Sequence, residues 1–474
     1  MRSYVLLLLA LSIFGTSITA AQHISFNIQW GDDGMDAAQD IIETKEGNML
    51  IAGGLSVRNT TNNYIYNGFL TLADKDGEII WTKQYGGGMN DVLISVVEYD
   101  DAYMATGYTQ SYSANGSQDV LLIKTDKNGN ELWRKNFGGT GRDEGHHLLK
   151  LSDGNLLITG ITDSKGAGNL DAWLLKVDTA GNLLWDETFG GTELDDAWDA
   201  VEAADGGYIF TGGTWSFATG SLDDGWIVKV DKDGKEQWRQ VYGSSEDQDW
   251  FWSIEPTNDG NYVLTGVNNY INLDPRPQGL FFIKVNPDGE LIWDKSFGLG
   301  QGMSGNDIKS TADGNYIIGG YRLTSTRFEF LFIKTNENGD TLWTKGVGDF
   351  QTVNHCHAVT ATTEGSVIGA GRGGWSQTNN FDIMMVKVSD ATSGLADEMH
   401  DQVIRQFANH LMIHTPSKGQ LRVYNLQGQM LHKEDIPQGK TMFKAPLNSQ
   451  GLLLVEVTLK NGETVTGKWI PLEN

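Results

Sequence analysis

The sequence predicts an all-β protein in which a seven-bladed β-propeller is followed by a small C-terminal β-sandwich. The first observation is a repeat of about fifty residues, marked by a Trp four positions before a pair that is usually aromatic-Gly. A period of this length indicates a repeat architecture. The second observation is that each repeat holds about four short apolar segments without helical periodicity, which is typical of a propeller blade. The marker Trp residues are spaced by 52, 52, 53, 55 and 50 residues: Trp81, Trp133, Trp185, Trp238, Trp293 and Trp343.

The repeat that begins at Asp195 shows the predicted order of elements. Between its third and fourth strands lies Asp231-Lys232-Asp233-Gly234, which predicts a tight hairpin because Gly adopts the positive φ that such a turn requires. A second Gly-centred turn joins the first and second strands. The four predicted strands are residues 200–203, 208–212, 226–230 and 236–242.

The last repeat is incomplete, and the N-terminal segment carries what it lacks. The seventh unit stops after its third strand, at 383–388, and no Trp-bearing strand follows. Residues 25–30 place Phe26 and Trp30 where the next unit has Trp81 and Tyr85. The N-terminal strand is therefore predicted to complete the last blade, which closes the ring and removes an exposed sheet edge.

The first 21 residues predict a secretory signal peptide. Arg2 precedes an apolar run at 5–14, and Thr19 and Ala21 are small residues placed for cleavage before Gln22. This apolar run is shorter than the roughly 20 residues of a spanning helix, and no transmembrane segment is predicted elsewhere. We therefore expect a protein that is secreted or held on the outer cell surface.

The net charge and the single cysteine argue against a nucleic-acid partner and against an internal disulfide. The formal net charge of −26 repels phosphate backbones, so no nucleic-acid partner is expected. The one cysteine, Cys356, cannot form an internal disulfide and is predicted to be a buried apolar residue.

Two parts of the chain resemble known families. The phrase at 189–212, aromatic-Gly-Gly, Asp, a strand, Asp-Gly-Gly-Tyr and Thr-Gly, resembles the repeats of secreted Bacteroidetes propeller proteins, over residues 22–390. The spacing of Asp231, Gly234 and Trp238 also looks like a pyrroloquinoline-quinone dehydrogenase blade motif. No Cys-Cys pair or convincing set of quinone ligands accompanies it, so no cofactor is predicted.

The C-terminal region changes in character and resembles a sorting domain. Residues 423–429, Val-Tyr-Asn-Leu-Gln-Gly-Gln, are similar to a run in the C-terminal sorting domains of the type IX secretion system. The resemblance implies a linker at 391–406, a sorting β-sandwich at 407–474, and the type IX secretion machinery as a partner. Such a domain is removed or attached to the surface after export. The alternative is an ordinary accessory β-domain.

Two columns of residues recur at fixed places before the first turn of each repeat. The first column is almost uniformly acidic, which favours carboxylates that accept backbone N–H groups of the inter-blade loops, with a ring of cation sites as the alternative. Its members are Asp36, Asp91, Asp143, Asp195, Asp249 and Asn354, with Met303 as the exception. The second column, three positions later, varies and contains Ile94 together with the six candidate site residues, Gln39, His146, Trp198, Trp252, Asn306 and His357.

The varied column predicts a ligand surface at the channel mouth, on the face with the long loops. Trp rings stack on sugars, while His, Asn and Gln hydrogen-bond to hydroxyl groups. The alternative is packing between blades. No metal site is predicted, because the pairs His146/His147 and His355/His357 come from distant blades.

The favoured function is a binding or scaffold propeller that recognises an extracellular glycan or protein. The alternative is a secreted polysaccharide-degrading hydrolase or lyase that uses carboxylates or His on the long-loop face, although no catalytic residue can be chosen. Adjacent groups with opposed pKa shifts in a deep pocket would favour the enzyme, and a shallow aromatic mouth would favour binding.

Overall fold

A computed structural model describes most of residues 22–390 and seven segments of the C-terminal region. The gaps in the first part are 32–33, 59–62, 221, 244–247, 269–278, 299–301, 325–327, 349–352 and 376–379. The C-terminal segments are 404–407, 410–415, 418–425, 429–436, 439–444, 453–459 and 464–469. The predicted signal peptide, the loop at 269–278 and the predicted linker as far as residue 403 lie outside the described residues. The chain divides into two units, Met1–Thr392 and Ser393–Asn474.

The first unit is all-β in its described residues. None of the described residues belongs to a helix long and apolar enough to cross a membrane. In chain order the strands are β1 Gln22–Trp30, β2 Ala37–Glu43, β3 Met49–Arg58, β4 Tyr64–Ala73, β5 Ile79–Tyr85, β6 Asp91–Glu98, β7 Ala102–Thr109, β8 Asp119–Asp126, β9 Glu131–Phe137, β10 Asp143–Lys150, β11 Leu156–Thr162, β12 Asp171–Val177, β13 Leu183–Phe189, β14 Asp199–Glu202, β15 Tyr208–Thr214, β16 Asp224–Val230, β17 Glu236–Tyr242, β18 Asp249–Pro256, β19 Tyr262–Asn268, β20 Gly279–Val285, β21 Leu291–Phe297, β22 Met303–Ser310, β23 Tyr316–Leu323, β24 Phe328–Thr335, β25 Thr341–Val347, β26 Val353–Ala361, β27 Val367–Trp375 and β28 Asn380–Asp390.

These strands form seven four-stranded antiparallel sheets. Six of the sheets are runs of four consecutive strands, from β2-β3-β4-β5 to β22-β23-β24-β25, and the seventh has the order β1-β28-β27-β26. Each sheet contacts the next through its first strand, and the seventh contacts the first. This arrangement is consistent with a β-propeller, in which β2, β6, β10, β14, β18, β22 and β26 are the inner strands around a common axis.

The N-terminal strand supplies the outer strand of the seventh sheet. β1 pairs antiparallel with β28, with Gln22 opposite Asp390 and Trp30 opposite Ile383. Phe26, Ile28 and Trp30 are partly buried against the core that the first and seventh sheets share. The described part of the seventh sheet therefore has no unpaired outer edge along β28.

Five marker Trp residues, Trp81, Trp133, Trp185, Trp238 and Trp293, each pack over the turn glycine of the next repeat. A Cβ atom added to Gly234 would lie 2.9 Å from the Trp185 ring, and Gly234 has a φ of 81°. Glycine is thus required twice, for its backbone conformation and for the space that the indole fills. At Gly77 the side chains of Phe26 and Ile28 occupy the equivalent space, so β1 replaces the marker Trp for that turn.

A β-bulge interrupts the inner strand at the varied column. Pairing with the second strand skips Gln39, Ile94, His146, Trp252, Asn306 and His357. In the fourth sheet, the backbone N–H of Trp198 donates a hydrogen bond to the carbonyl group of Thr211. Thr211 is also the residue opposite Asp199 in the strand pairing. The second strand has glycine opposite each bulge because a Cβ there would collide with the inner strand, as at Gly266 and the Trp250 carbonyl. The bulge is the backbone reason for the recurrent Gly in the second strand.

The acidic column caps the inter-sheet loops, as its uniformity predicts. Asp91, Asp143 and Asp195 accept N–H groups of the preceding loop from Gly87, Gly139 and Gly191 at 3.0, 2.9 and 2.9 Å. Each also accepts a Thr hydroxyl group from the second strand: Thr109, Thr162 and Thr214. Cys356 is fully buried and unpaired, as predicted.

The second unit contains two antiparallel sheets in its described residues. The strands are β29 Ile404–Phe407, β30 His410–Thr415, β31 Gly419–Tyr424, β32 Met430–Ile436, β33 Gly439–Lys444, β34 Leu453–Leu459 and β35 Thr464–Trp469. Their orders in the two sheets are β29-β30-β33 and β32-β31-β34-β35. Leu421, Val423, Ile436 and Val457 are buried. The first strand of this unit begins at Ile404.

Candidate functional site

The mouth is the end of the axis at which the inner strands begin. Along each inner strand, the bulge residue and the residue two positions before it face the same side because side chains alternate along a strand. The earlier positions are Ala37, Val92, Glu144, Asp196, Trp250, Ser304 and His355. The sequence prediction named the bulge column but not this second one, although a period of two along the strand could have identified it.

Three consecutive sheets bring four aromatic rings together, which we call the mouth cluster: His146, Trp198, Trp250 and Trp252. His146 stacks on Trp198 with ring centroids 3.9 Å apart and planes 11° apart. Trp198 meets Trp252 edge to face at 4.8 Å and 76°, and Trp252 stacks on Trp250 at 5.4 Å and 5°. All three indoles are half-buried, while His146 is buried. Three predicted site residues thus share a cluster, but Trp198 and Trp252 each have one face covered by a neighbouring ring.

Three residues of the varied column also connect adjacent sheets. His146 Nδ1, Asn306 Nδ2 and His357 Nδ1 contact the carbonyl groups of Ala197, Cys356 and Ala38 at 3.1, 2.7 and 2.8 Å. Each acceptor directly precedes the varied-column residue of the next sheet. Part of this column therefore performs the inter-blade packing that the sequence left as an alternative. Gln39 is half-buried on β2 and lies away from the mouth cluster in the order of sheets.

Asp196 is a buried carboxylate beside the mouth cluster. It is 4% exposed and accepts hydrogen bonds from Gly213 N at 2.7 Å and Trp250 Nε1 at 3.3 Å. The Trp250 ring also lies against Gly213, where a Cβ would approach it to 2.7 Å. Burial raises the pKa of Asp196 to about 7, although these donors partly oppose the rise.

Glu144 occupies the equivalent position in the preceding sheet and shows the opposite shift. Arg142 Nε and Nη2 donate to its two oxygens at 2.7 and 3.1 Å, and His146 Nε2 lies 3.5 Å away. Burial alone would raise the pKa of Glu144, but the contacts with His146 and Arg142 lower it to about 2. Adjacent sheets thus hold one carboxyl group that ionises readily and one that resists ionisation.

Below the bulges a charged cluster lies along the axis. Asp199 accepts from Ser253 Oγ at 2.9 Å and lies 2.9 Å from His147 Nδ1, while Asp307 accepts from Lys309 Nζ at 2.7 Å. Burial opposes ionisation of Asp199, yet the charge of His147 holds its pKa below the usual range. Asp199 and Asp307 also accept the N–H groups of residues 254 and 359 in adjacent inner strands. These carboxylates therefore join neighbouring sheets.

The described residues contain no metal-binding cluster, and two of their cavities lie at the tight turns. No group of three or more His, Cys, Asp or Glu side chains in this part of the chain could hold a metal ion. Two cavities of about 290 and 490 Å³ open among the tight turns, at the other end of the sheets. Turn residues line them, including Gly47 and Thr363 in one and Gly314 and Asn338 in the other.

Fold and site together define an all-β, propeller-like protein with aromatic and charged side chains at one end of its axis. No protein-family model matches the chain. The regulatory protein FlaEY of Caulobacter vibrioides is 27% identical over 111 residues, which are 21% of this chain and 12% of FlaEY.

Solved structures give similarities at low sequence identity. The GH93 α-L-arabinofuranosidase of Fusarium graminearum, in complex with arabinobiose, is 9% identical with a TM-score of 0.45, over 76% of this chain and 98% of that chain. The α-L-arabinanase of Penicillium chrysogenum, complexed with arabinobiose, is 11% identical with a TM-score of 0.43, over 78% and 100% of the two chains.

Proposed function

We propose that the seven sheets are the blades of a closed propeller that binds an extracellular glycan at its mouth. The observation that supports this proposal is the mouth cluster, in which half-buried indoles from two blades lie beside His146 and polar groups of a third. Aromatic faces and edges pack on the C–H surfaces of sugars, and nearby donors and acceptors bind the hydroxyl groups. An extracellular protein is the second kind of ligand that such a surface accommodates.

Unused hydrogen-bonding capacity adds to the argument. The indole Nε1 of Trp252 is buried, and no described residue accepts its hydrogen bond. An unpaired buried donor costs about 1–3 kcal/mol, so an acceptor on a ligand would recover part of this energy. Gln39, Asn306 and His357 lie further round the mouth, where an extended glycan could reach them.

Replacing Trp252 with Ala should weaken binding of the cognate glycan by about 1–3 kcal/mol, because a contact aromatic at a binding hot spot contributes that much. We expect a similar loss for Trp198→Ala. Candidate glycans are first identified by screening the propeller, residues 22–390, on a glycan array. Affinity is then measured by calorimetry beside the melting temperature for each variant.

Trp185→Ala is the matched control, because Trp185 packs over Gly234 away from the mouth. It should reduce stability and leave the affinity of the folded protein unchanged. If Trp198→Ala and Trp252→Ala instead lower stability by about 3–5 kcal/mol and leave affinity unchanged, both side chains serve the core and the glycan site is wrong.

Glycoside hydrolysis is the second candidate, and one observation favours it. Glu144 and Asp196 have opposed pKa shifts, as the base or nucleophile and the acid of a glycosidase require. Both carboxylates are buried, however, and Arg142 binds both oxygens of Glu144. We therefore propose binding without cleavage. Mass analysis of the bound glycan should show intact chains, whereas fragments that disappear in Asp196→Asn would establish the hydrolase.

We further propose that an N-terminal signal peptide directs export of the protein and that its C-terminal region directs sorting through the type IX secretion system. The support is the signal-peptide pattern at 1–21 and the resemblance of the C-terminal region to type IX sorting domains. The two sheets of the second unit are proposed to pack as the sorting β-sandwich, with residues 391–406 as the linker. The protein would then reach the medium or the outer cell surface.

Ending the chain at residue 392 should leave a folded propeller that accumulates in the periplasm of the native host. The physical reason is that the propeller has its own closed core, whereas the secretion machinery would recognise the second unit. Cell fractionation with antibodies to the propeller measures the distribution, and the full chain serves as control. Equal amounts of the truncated and full chains outside the cell would refute the sorting role.

A further inference from the structure

Arg372 lies at the mouth in the seventh sheet, whereas the mouth cluster belongs to the third, fourth and fifth sheets. Arg372 belongs to β27, and its backbone partner on the inner strand β26 is His355. The equivalent second-strand residues in the other sheets carry no charge: Gly54, Tyr108, Ile161, Gly213, Val267 and Tyr321. The repeat therefore places one cation in a column of uncharged residues.

The guanidinium group of Arg372 has no counter-ion in the part of the chain that the structure describes. It makes no ion pair or hydrogen bond with a described residue, and its Nε is buried. Its Cζ lies 5.2 Å from the centroid of the Phe381 ring. By contrast, Arg134, Arg142 and Arg239 each pair with a glutamate. In a chain with 61 acidic residues, a half-buried Arg without a carboxylate partner is an unusual feature.

The groups around Arg372 are neutral and polar or aromatic. The Tyr66 and Tyr321 hydroxyls are close enough to influence its pKa, which burial lowers. Burial and the neighbouring positive groups lower the pKa of His355 to about 2 and of His357 to about 4, so both imidazoles are neutral at pH 7. Among the residues that the structure describes, these surroundings therefore supply no negative charge that would neutralise the guanidinium group.

His355, which pairs with Arg372, supplies a second polar atom, its Nε2, that has no hydrogen-bond partner among the described residues. The His355 ring stacks on Tyr321 at 4.4 Å and 19°, and its Nε2 is buried. A buried polar atom without a partner is costly and in a native protein calls for a specific explanation. Arg372 Nε and His355 Nε2 thus present two unused hydrogen-bonding atoms from paired residues.

We propose that Arg372, with His355, binds an oxyanion on the ligand, either the carboxylate of a uronic acid or a sulfate ester, so that the glycan is acidic. A guanidinium group binds both anions through paired N–H donors, and the interaction is strengthened where water is excluded. The choice of an acidic glycan rests on the proposed glycan-binding function. The anion site itself stands on the geometry of Arg372.

The test compares matched ligands and matched variants. An oligouronic acid is titrated against the same oligosaccharide with its carboxyl groups reduced, and a sulfated oligosaccharide against its desulfated form. The intact protein should bind one acidic form at least ten-fold more tightly than its neutral form, and the pair that shows this identifies the anion. Arg372→Met should abolish the preference and retain binding of the neutral form, while Arg372→Lys should restore part of the preference.

Arg134→Met is the control, because Arg134 pairs with Glu131 on the outer strand β9. It should leave the preference unchanged, and melting temperatures verify that every variant is folded. Binding of neutral and acidic forms with equal affinity, unaltered by Arg372→Met, would overturn the anion site and leave the glycan proposal intact.

A small anion distinguishes failure of the glycan proposal from failure of the anion site. If no glycan binds, inorganic sulfate is titrated into the intact protein and into Arg372→Met, with chemical shifts of the His355 ring as the readout. Saturable shifts that the variant loses would support the anion site while the glycan proposal fails. Identical, unsaturated shifts in both proteins would refute the site as well.

Discussion

A protein that lacks Gln22–Trp30 should lose about 5 kcal/mol of unfolding free energy in its first unit. The deletion removes the partly buried side chains of Phe26, Ile28 and Trp30 and the hydrogen-bond ladder between β1 and β28. Each half-buried apolar side chain contributes roughly 1 kcal/mol or more, and each ladder hydrogen bond contributes on the order of 1 kcal/mol net. Urea unfolding of the chain that begins at Gln22 and of the deletion measures the difference.

The deletion should also expose β28 as a sheet edge and promote aggregation. A synthetic peptide of residues 22–30, added in trans, should restore stability, whereas a peptide with Phe26, Ile28 and Trp30 replaced by Ser should not. A deletion variant that unfolds at the same urea concentration as its parent, with or without peptide, would disprove the closing role of β1.

Replacing Asp196 with Asn should stabilise the protein by about 2–4 kcal/mol at pH 8 and have little effect at pH 4. The pKa of Asp196 rises from 3.8 to about 7 in the folded protein because the carboxyl group is buried. A raised carboxyl pKa means that folding favours the protonated form. The free energy of unfolding is therefore highest below pH 4 as far as this group is concerned. It decreases as the pH rises to about 7 and stays low above that pH. The Asn side chain avoids this loss and keeps an oxygen acceptor for Gly213 N and Trp250 Nε1.

The measurement is a series of chemical denaturation curves from pH 4 to pH 8. Asp205→Asn is the matched control in the same sheet, because a hydrogen bond from Lys229 holds the pKa of Asp205 below its usual range. That replacement should destabilise the protein at pH 8, since it leaves the buried ammonium group of Lys229 without its carboxylate partner. An Asp196→Asn protein whose gain in stability is equal at pH 4 and pH 8 would contradict the raised pKa.

The repeat made the strand order and the capping column predictable. Hairpin glycines, acidic caps and marker Trp residues each act within one repeat or between neighbours, so they recur with the same period. Gly234 is an example, because its positive φ and its packing under Trp185 are both encoded once per repeat. The origin of the outer strand of the last sheet was also readable, since Phe26 and Trp30 preserve the spacing of Trp81 and Tyr85.

The candidate site was only partly predictable. Sequence spacing grouped His146, Trp198 and Trp252 in one column, and the structure brings their rings into one cluster. The prediction did not include Trp250 and Asp196, which lie two positions before members of that column and face the same side because side chains alternate along a strand. It also gave no sign that His146, Asn306 and His357 each use a polar atom to contact the next sheet.

The sequence by itself determined the all-β class, the period of the repeat, the Gly-centred turns and the strand that completes the last sheet. These depend on local backbone conformation and on contacts that recur in every repeat. Only the tertiary structure decided which side chains share the mouth and which charges lack partners. Arg372 and Tyr66 are far apart in the chain, and their proximity follows from the contact between the seventh and first sheets. The pKa of Asp196 follows from burial under Trp250. Such properties depend on the distance between sheets and on the exclusion of water, and no spacing within one repeat encodes either.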